Sequence, residues 1–240
     1  MGRAAFLLPA GAIVPDSGTP PSITNFSIAA GAARVTAISA QLSRDEARSL
    51  LSEWVQSESL RRHCLAVATA MEAYAHREGA DADRWFVVGL LHDMDYERFP
   101  DMDDTENGHP RSGMKELESR GVDPELVRAI ASHADFMGVP RESQMEKTLY
   151  AVDELSGFLL ACAYVRPQGL EGLTPKSVKK KLKQPSFAAA VNREDVRRGA
   201  EELGVEFDEH VAFVIAALEA RAGELGLEGR DAPEPESASA

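Results

Sequence analysis

Cysteine is nearly absent. The 240 residues hold two, Cys64 and Cys162, each in an apolar stretch and without CxxC spacing. That excludes a disulfide framework and a cysteine-rich zinc site. It reads as two buried free thiols in a reducing compartment, and the expectation is a cytoplasmic protein. Long hydrophobic runs are also lacking: no stretch approaches the ~18 consecutive apolar residues of a membrane span. Positive charge is short. Lys and Arg total 26 against 39 Asp and Glu, a formal net charge of -13, which argues against non-specific binding to nucleic acid or to an anionic membrane. There are no sustained strand-period segments and no internal repeats. What remains is a succession of helix-period segments, and the fold class read from them is all-α.

Residues 1–40 carry Arg3 ahead of an apolar run, Ala4–Val14, interrupted by Pro9 and Gly11, and then a Pro-, Gly-, Ser- and Thr-rich stretch. They are expected to be a disordered or poorly ordered extension rather than a signal peptide. Residues 41–225 are expected to form one helical domain. Residues 226–240, dominated by Glu, Pro, Ser and Ala, are expected to be a disordered tail.

The helical domain opens at a capping box, Ser43 with Glu46 three residues on, followed by an apolar face of Ala47, Leu50, Leu51, Trp54 and Val55. A second helix is expected over Ser59–Arg77 and a third over Ala82–Leu91. An acidic surface loop, Asp95–Gly108, comes next. Helices are then expected from His109-Pro110 to Ser119, from Asp123-Pro124 until Gly138 and Pro140 end it, over Ser143–Val165, over the basic Lys176–Lys183, over Asn192–Leu203 and over Asp208–Leu225.

The chain is organised around Val87–Leu91, an apolar run that ends in His92-Asp93. Neighbours on a helix point about 100° apart. Adjacent His and Asp can therefore serve one ion only at a helix end, or by bridging to a second ion. Other polar groups share apolar helix faces: His63 beside Cys64, His133 on the fifth helix, and Asp153 inside a long apolar helix. Taken singly, each is more often a satisfied core group, and Arg61 or Arg62 could partner Asp153. Together they form the imidazole and carboxylate set that divalent transition ions take, on faces that point into one bundle core. His76 reads as solvated, and His210 as a surface or helix-packing residue.

The order His63 … His92-Asp93 … Asp153 resembles the HD-domain superfamily of metal-dependent phosphohydrolases, over about Leu60–Leu160. The resemblance implies an HD-domain-like helical bundle. With His109 and His133 lying between the pair and the final Asp, it implies two ions. His63, His92 and Asp153 would hold one, His109 and His133 the other, and Asp93 would bridge. The implied cofactor is a divalent transition metal, Mn or Fe first, with Co, Ni or Zn as further candidates. The implied activity is hydrolysis of a small phosphate ester or nucleotide by a metal-activated water. Asp93 itself, with Asp95 and Glu97 just past it, supplies the catalytic carboxylates on this reading. Arg111, Arg166, Lys176, Lys179 and Lys180 are the cations available for substrate phosphate. The same ligand order also occurs in mixed-valent di-iron oxygenases of the superfamily, and a non-catalytic HD-fold binding module is a third reading. Met94-Asp95-Tyr96-Glu97 follows the pair where the cyclic-di-nucleotide phosphodiesterases have Gly-Lys, and Gly-Tyr-Pro is missing, so that substrate is not expected. Nothing in the sequence sets the oligomeric state.

Overall fold

The computed structural model describes residues 41–229. The extension expected over 1–40 and residues 230–240 of the expected tail lie outside the described residues. Among the described residues there are ten α-helices, one 3-10 turn and no strand. They are α1 Arg44–Trp54, α2 Glu58–Glu78, α3 Ala82–Leu91, α4 Arg111–Ser119, α5 Pro124–Ser132, α6 Gln144–Tyr164, α7 Pro175–Leu182, α8 Arg193–Leu203, α9 Phe207–Glu219 and α10 Ala222–Leu225, with the 3-10 turn at Asp135–Met137.

Local chemistry sets most boundaries. Ser43 and Ser143 each form a capping box, with Glu46 and Glu146, at the starts of α1 and α6. Asp81, Asp123 and Asn192 accept from first-turn amides of α3, α5 and α8. The face of α1 formed by Ala47, Leu50, Leu51 and Val55 is buried. In α3 every residue from Trp85 to Leu91 is buried, which explains why its sequence runs apolar without alternation.

The helix α2 packs along α3 and α6, and α6 in turn carries α8 on another face. The contact between α2 and α3 depends on Gly89. A Cβ there would sit 2.7 Å from the Ala68 Cα of α2, a distance no side chain tolerates, so only glycine lets the helices approach this closely. Gly199 plays the same part between α8 and α6, where a Cβ would lie 2.6 Å from the Ala151 Cα. These close approaches bring the ends of α3 and α5 and the middle of α6 to the N-terminal half of α2.

Three expectations need correction. The last helix is two: α9 stops at Glu219, and Arg221 turns back to pair with Glu72 of α2 before α10 begins. Residues 226–229 continue the fold, since Leu227 is buried and its N–H donates to Ala222 O at 2.8 Å. The acidic loop lies at the surface over 96–107, as expected, but it is anchored there and its first residue is buried. Arg98 donates to the carbonyls of Trp54 (2.9 Å) and Glu53 (2.5 Å), tying it to the end of α1, and Asp95, at its start, is fully buried. Both cysteines are buried free thiols, and burial pushes Cys64 up to about 12, so it stays neutral. No helix among the described residues is long and apolar enough to cross a membrane.

Candidate metal centre

The six donors come from five segments. His63 lies on α2 and Asp153 on α6; His92 is the C-cap of α3, with Asp93 directly after it; His133 is the C-cap of α5; His109 precedes α4. At both C-caps the imidazole Nδ1 donates to the carbonyl three residues back, His92 to Gly89 O (2.8 Å) and His133 to Ile130 O (2.5 Å). Helix ends leave such carbonyls without partners, so each histidine completes its own helix. A carbonyl only accepts, which puts the proton on Nδ1 and turns the Nε2 lone pair inward. His109 reaches the same state differently: its Nδ1 donates to Asp95 Oδ1 at 2.7 Å.

The inward nitrogens meet the carboxylates in two groups, His63–His92–Asp153 and Asp93–His109–His133. In each, one donor atom per residue lies within 4.8 Å of the others. Asp93 faces both. Its Oδ2 is 3.6 Å from His63 Nε2 and 3.4 Å from His92 Nε2, while its Oδ1 is 3.4 Å from His109 Nε2 and 3.5 Å from His133 Nε2. Asp153 Oδ1 closes the first group, 3.0 Å from His63 Nε2 and 3.4 Å from His92 Nε2. The alternative partners of Asp153, Arg61 and Arg62, make no ion pair with it. Arg61 instead donates to the carbonyls of Val55 and Ser52.

These distances fit a divalent cation better than hydrogen bonds. Ligands held at about 2.1 Å around one ion lie about 3.0–3.4 Å apart for octahedral to tetrahedral angles. His92 Nε2 is buried with no hydrogen-bond partner, a costly state for a neutral polar atom unless a cation meets it. The charges agree. Burial alone would raise the Asp93 carboxyl, but His92, His133 and His109 overcome it and hold it well below the usual carboxylate range. Burial likewise opposes ionisation of Asp153, and His92 and His63 again win. Burial works against charge on His92, yet the two carboxylates raise it well above its ordinary value. The cluster is a set of ionised carboxylates that require positive charge opposite them.

The donors sit at the wall of a cavity of about 740 Å³, lined by His63, Asp93, His109, His133 and Asp153 among others. The side chains of His63, Asp93 and Asp153 keep 19%, 17% and 17% exposure, so water reaches them. Beyond the donors the wall includes Tyr96, Phe136, Tyr150, Glu154, Asp195 and Arg198, none of which the sequence reading singled out. Burial, and then the neighbouring Asp153, push the Glu154 carboxyl up to about 7.

The remaining candidates have other places. Asp95 is not a water-facing carboxylate. Its Oδ1 holds His109 and its Oδ2 accepts from Gly113 N–H at 2.7 Å. Glu97 accepts from the amides of Gln56 and Ser57 (2.8 and 2.9 Å), where it caps the entry to α2. Neither lines the cavity, and neither do the five expected phosphate-binding cations. Arg111 lies behind Phe136, its guanidinium 5.8 Å from the ring centroid. Arg166 is used on the carbonyls of Gly169 and Glu171. Lys176, Lys179 and Lys180 belong to α7, which packs on α9 and α6; Lys179 pairs with Asp208 at 2.6 Å. Their charge is that of a solvated helix face. His76 is exposed, as expected. His210 is fully buried as a packing residue: its Nε2–H donates to Ala151 O (3.0 Å) and its Nδ1 accepts from Tyr74 Oη (2.6 Å).

Residues 60–156 match the family model described as HD domain. Over that segment the chain is similar to an HD domain. The matched segment begins just before His63, ends just after Asp153, and so contains all six donors of the two groups. No curated protein and no solved structure matches the chain.

Proposed function

We propose that this HD domain is a metal-dependent phosphohydrolase that acts on a small phosphate ester. One observation carries the reading: a single carboxylate, Asp93, turns one oxygen to each of two donor groups at the wall of an open cavity large enough for a small molecule. On this reading His63, His92 and Asp153 hold one divalent ion, His109 and His133 hold a second, and Asp93 bridges. Mn or Fe suits the mixed imidazole and carboxylate set. Bound ions of this kind supply Lewis acidity towards a phosphoryl oxygen and lower the pKa of a coordinated water.

The chain's own contribution is positioning. His92 and His133 are fixed by their helix ends, and His109 is fixed by Asp95. The only Lys or Arg side chain among the described residues lining the cavity is Arg198, so the substrate's phosphate is held at the donor end rather than by a basic patch. The test is metal analysis of protein purified without chelator, followed by a phosphate-release panel with Mn or Fe, in air and without it. Near two ions per chain and oxygen-independent release of phosphate are expected. Turnover that consumes oxygen would replace this reading with a di-iron oxygenase, and protein that neither binds metal nor turns over with added metal would end both.

A further inference from the structure

The charge on the cavity wall away from the donors is one-sided. Three carboxylates line it there, Asp135, Glu194 and Asp195, against the single guanidinium of Arg198; Glu154 beside them, pushed up to about 7, is not counted as a full charge. That guanidinium is already committed. It donates to Tyr150 Oη (2.6 Å from Nε), to Asp195 Oδ1 (2.7 Å) and to Asp135. Asp135 is further held by Arg141, which lies behind the wall. Glu194, exposed in the first turn of α8, makes no ion pair among the described residues. The rim adds faces of another kind: Tyr96, Met102 and Phe136 line the cavity and are 39%, 42% and 46% exposed.

A polyphosphate needs several Lys, Arg or amide donors along its length. This wall offers one arginine, and that one is spent on protein carboxylates. With cations in the donor groups, the cavity is positive at its inner end and negative at its outer one. Exposed aromatic and methionine side chains beside the acidic wall suit the apolar skirt of an organic cation. We infer that the cavity selects a phosphate monoester whose far end carries a cationic nitrogen, and that it rejects polyphosphates and esters ending in a carboxylate. This rests on the phosphohydrolase reading, whose substrate class it narrows.

The experiment uses matched two-carbon probes on the Mn-loaded full chain: 2-aminoethyl phosphate, 2-hydroxyethyl phosphate and phosphoglycolate, with AMP and ATP alongside. Binding is measured by calorimetry and turnover by phosphate release. The expected order of affinity is ammonium, then hydroxyl, then carboxylate, with about tenfold or more between the ends of the series, because like and unlike charges face the same wall. ATP should bind no better than AMP. Glu194→Gln should narrow the spread and Glu194→Lys narrow it further, each without altering metal content. Phosphoglycolate binding as well as the ammonium ester, ATP binding more tightly than AMP, or a spread unchanged in both Glu194 variants would overturn the inference and leave the hydrolase reading standing. The expected order of binding without phosphate release would support the charge selection and remove the hydrolase reading. Binding of none of the probes removes both.

Discussion

Asp95→Asn is the most informative single change, because it removes a charge from a fully buried position that does not line the cavity. In the native protein the carboxylate accepts from His109 Nδ1–H and from Gly113 N–H, both at 2.7 Å, and is fully buried. Asparagine has the same shape but one acceptor oxygen. It can serve His109 or Gly113, and then turns an NH₂ donor against the other's N–H. One buried donor left unmet costs about 1–3 kcal/mol of stability. For metal, the loss of a carboxylate behind a ligating histidine typically weakens affinity about 10–100-fold. Only the Asp93–His109–His133 group leans on Asp95, so the loss should fall on one ion. Metal content measured across buffered free-metal concentrations should show one ion held as in the native protein and the other released at about 10–100-fold higher free metal. Asp95→Ala, which restores neither acceptor, should weaken the same ion at least as much. Equal weakening of both ions, or native affinity for both in a variant that melts normally, would refute the idea that Asp95 acts through His109.

Other outcomes follow from the same geometry. Asp93→Ala should abolish binding at both groups, by metal analysis; one ion held at native affinity would show that Asp93 does not bridge. Gly89→Ala should destabilise the fold by about 1–3 kcal/mol in chemical denaturation, since the new methyl meets backbone rather than a movable side chain. Burial holds His210 down to about 4, whereas in the unfolded chain it titrates near about 6.5. The unfolded chain therefore takes up its proton first as pH falls. Stability from this residue is complete above about pH 6.5 and declines towards about pH 4, by up to about 3 kcal/mol. A His210→Gln variant should show a correspondingly flatter acid limb in melts between those values. Glu97→Ala should lower the melting temperature by uncapping α2 and leave metal content and turnover as they were.

Five of the six candidate donors were legible because they interrupt or end an otherwise apolar pattern; His109, at the end of the acidic loop, came only from the resemblance. His63 and Asp153 sit on stripes that must face the core, and His92-Asp93 ends a run with no other reason to stop in polar residues. Their convergence is what the structure adds. Asp95 misled because its neighbours Asp101, Asp103 and Asp104 lend the segment the composition of a solvated loop, while its burial depends on Gly113, 18 positions away. The Lys176–Lys183 run misled for the opposite reason. Charge density is visible in sequence, but the side of the bundle on which α7 lands is not. Arg198 gave no signal at all, since its partners Tyr150 and Asp135 are 48 and 63 positions distant, and its one local partner, Asp195, looks like an ordinary pair three apart on a helix. The single terminal helix expected over Asp208–Leu225 failed on a tertiary contact, the Arg221 pair with Glu72.

The double orientation of Asp93 has a thermodynamic consequence. On the two-ion proposal, a carboxylate facing two donor groups would give them one shared negative charge, so their occupancies would be linked and the influence reciprocal. Filling one group would draw electron density from the oxygen offered to the other, while fixing the rotamer that both would require. The two effects oppose each other, and the loading curve reports their difference as departure from two independent isotherms. Stoichiometry alone would miss it. The shape of the titration reads out how rigidly one residue, two positions beyond the end of α3, is held.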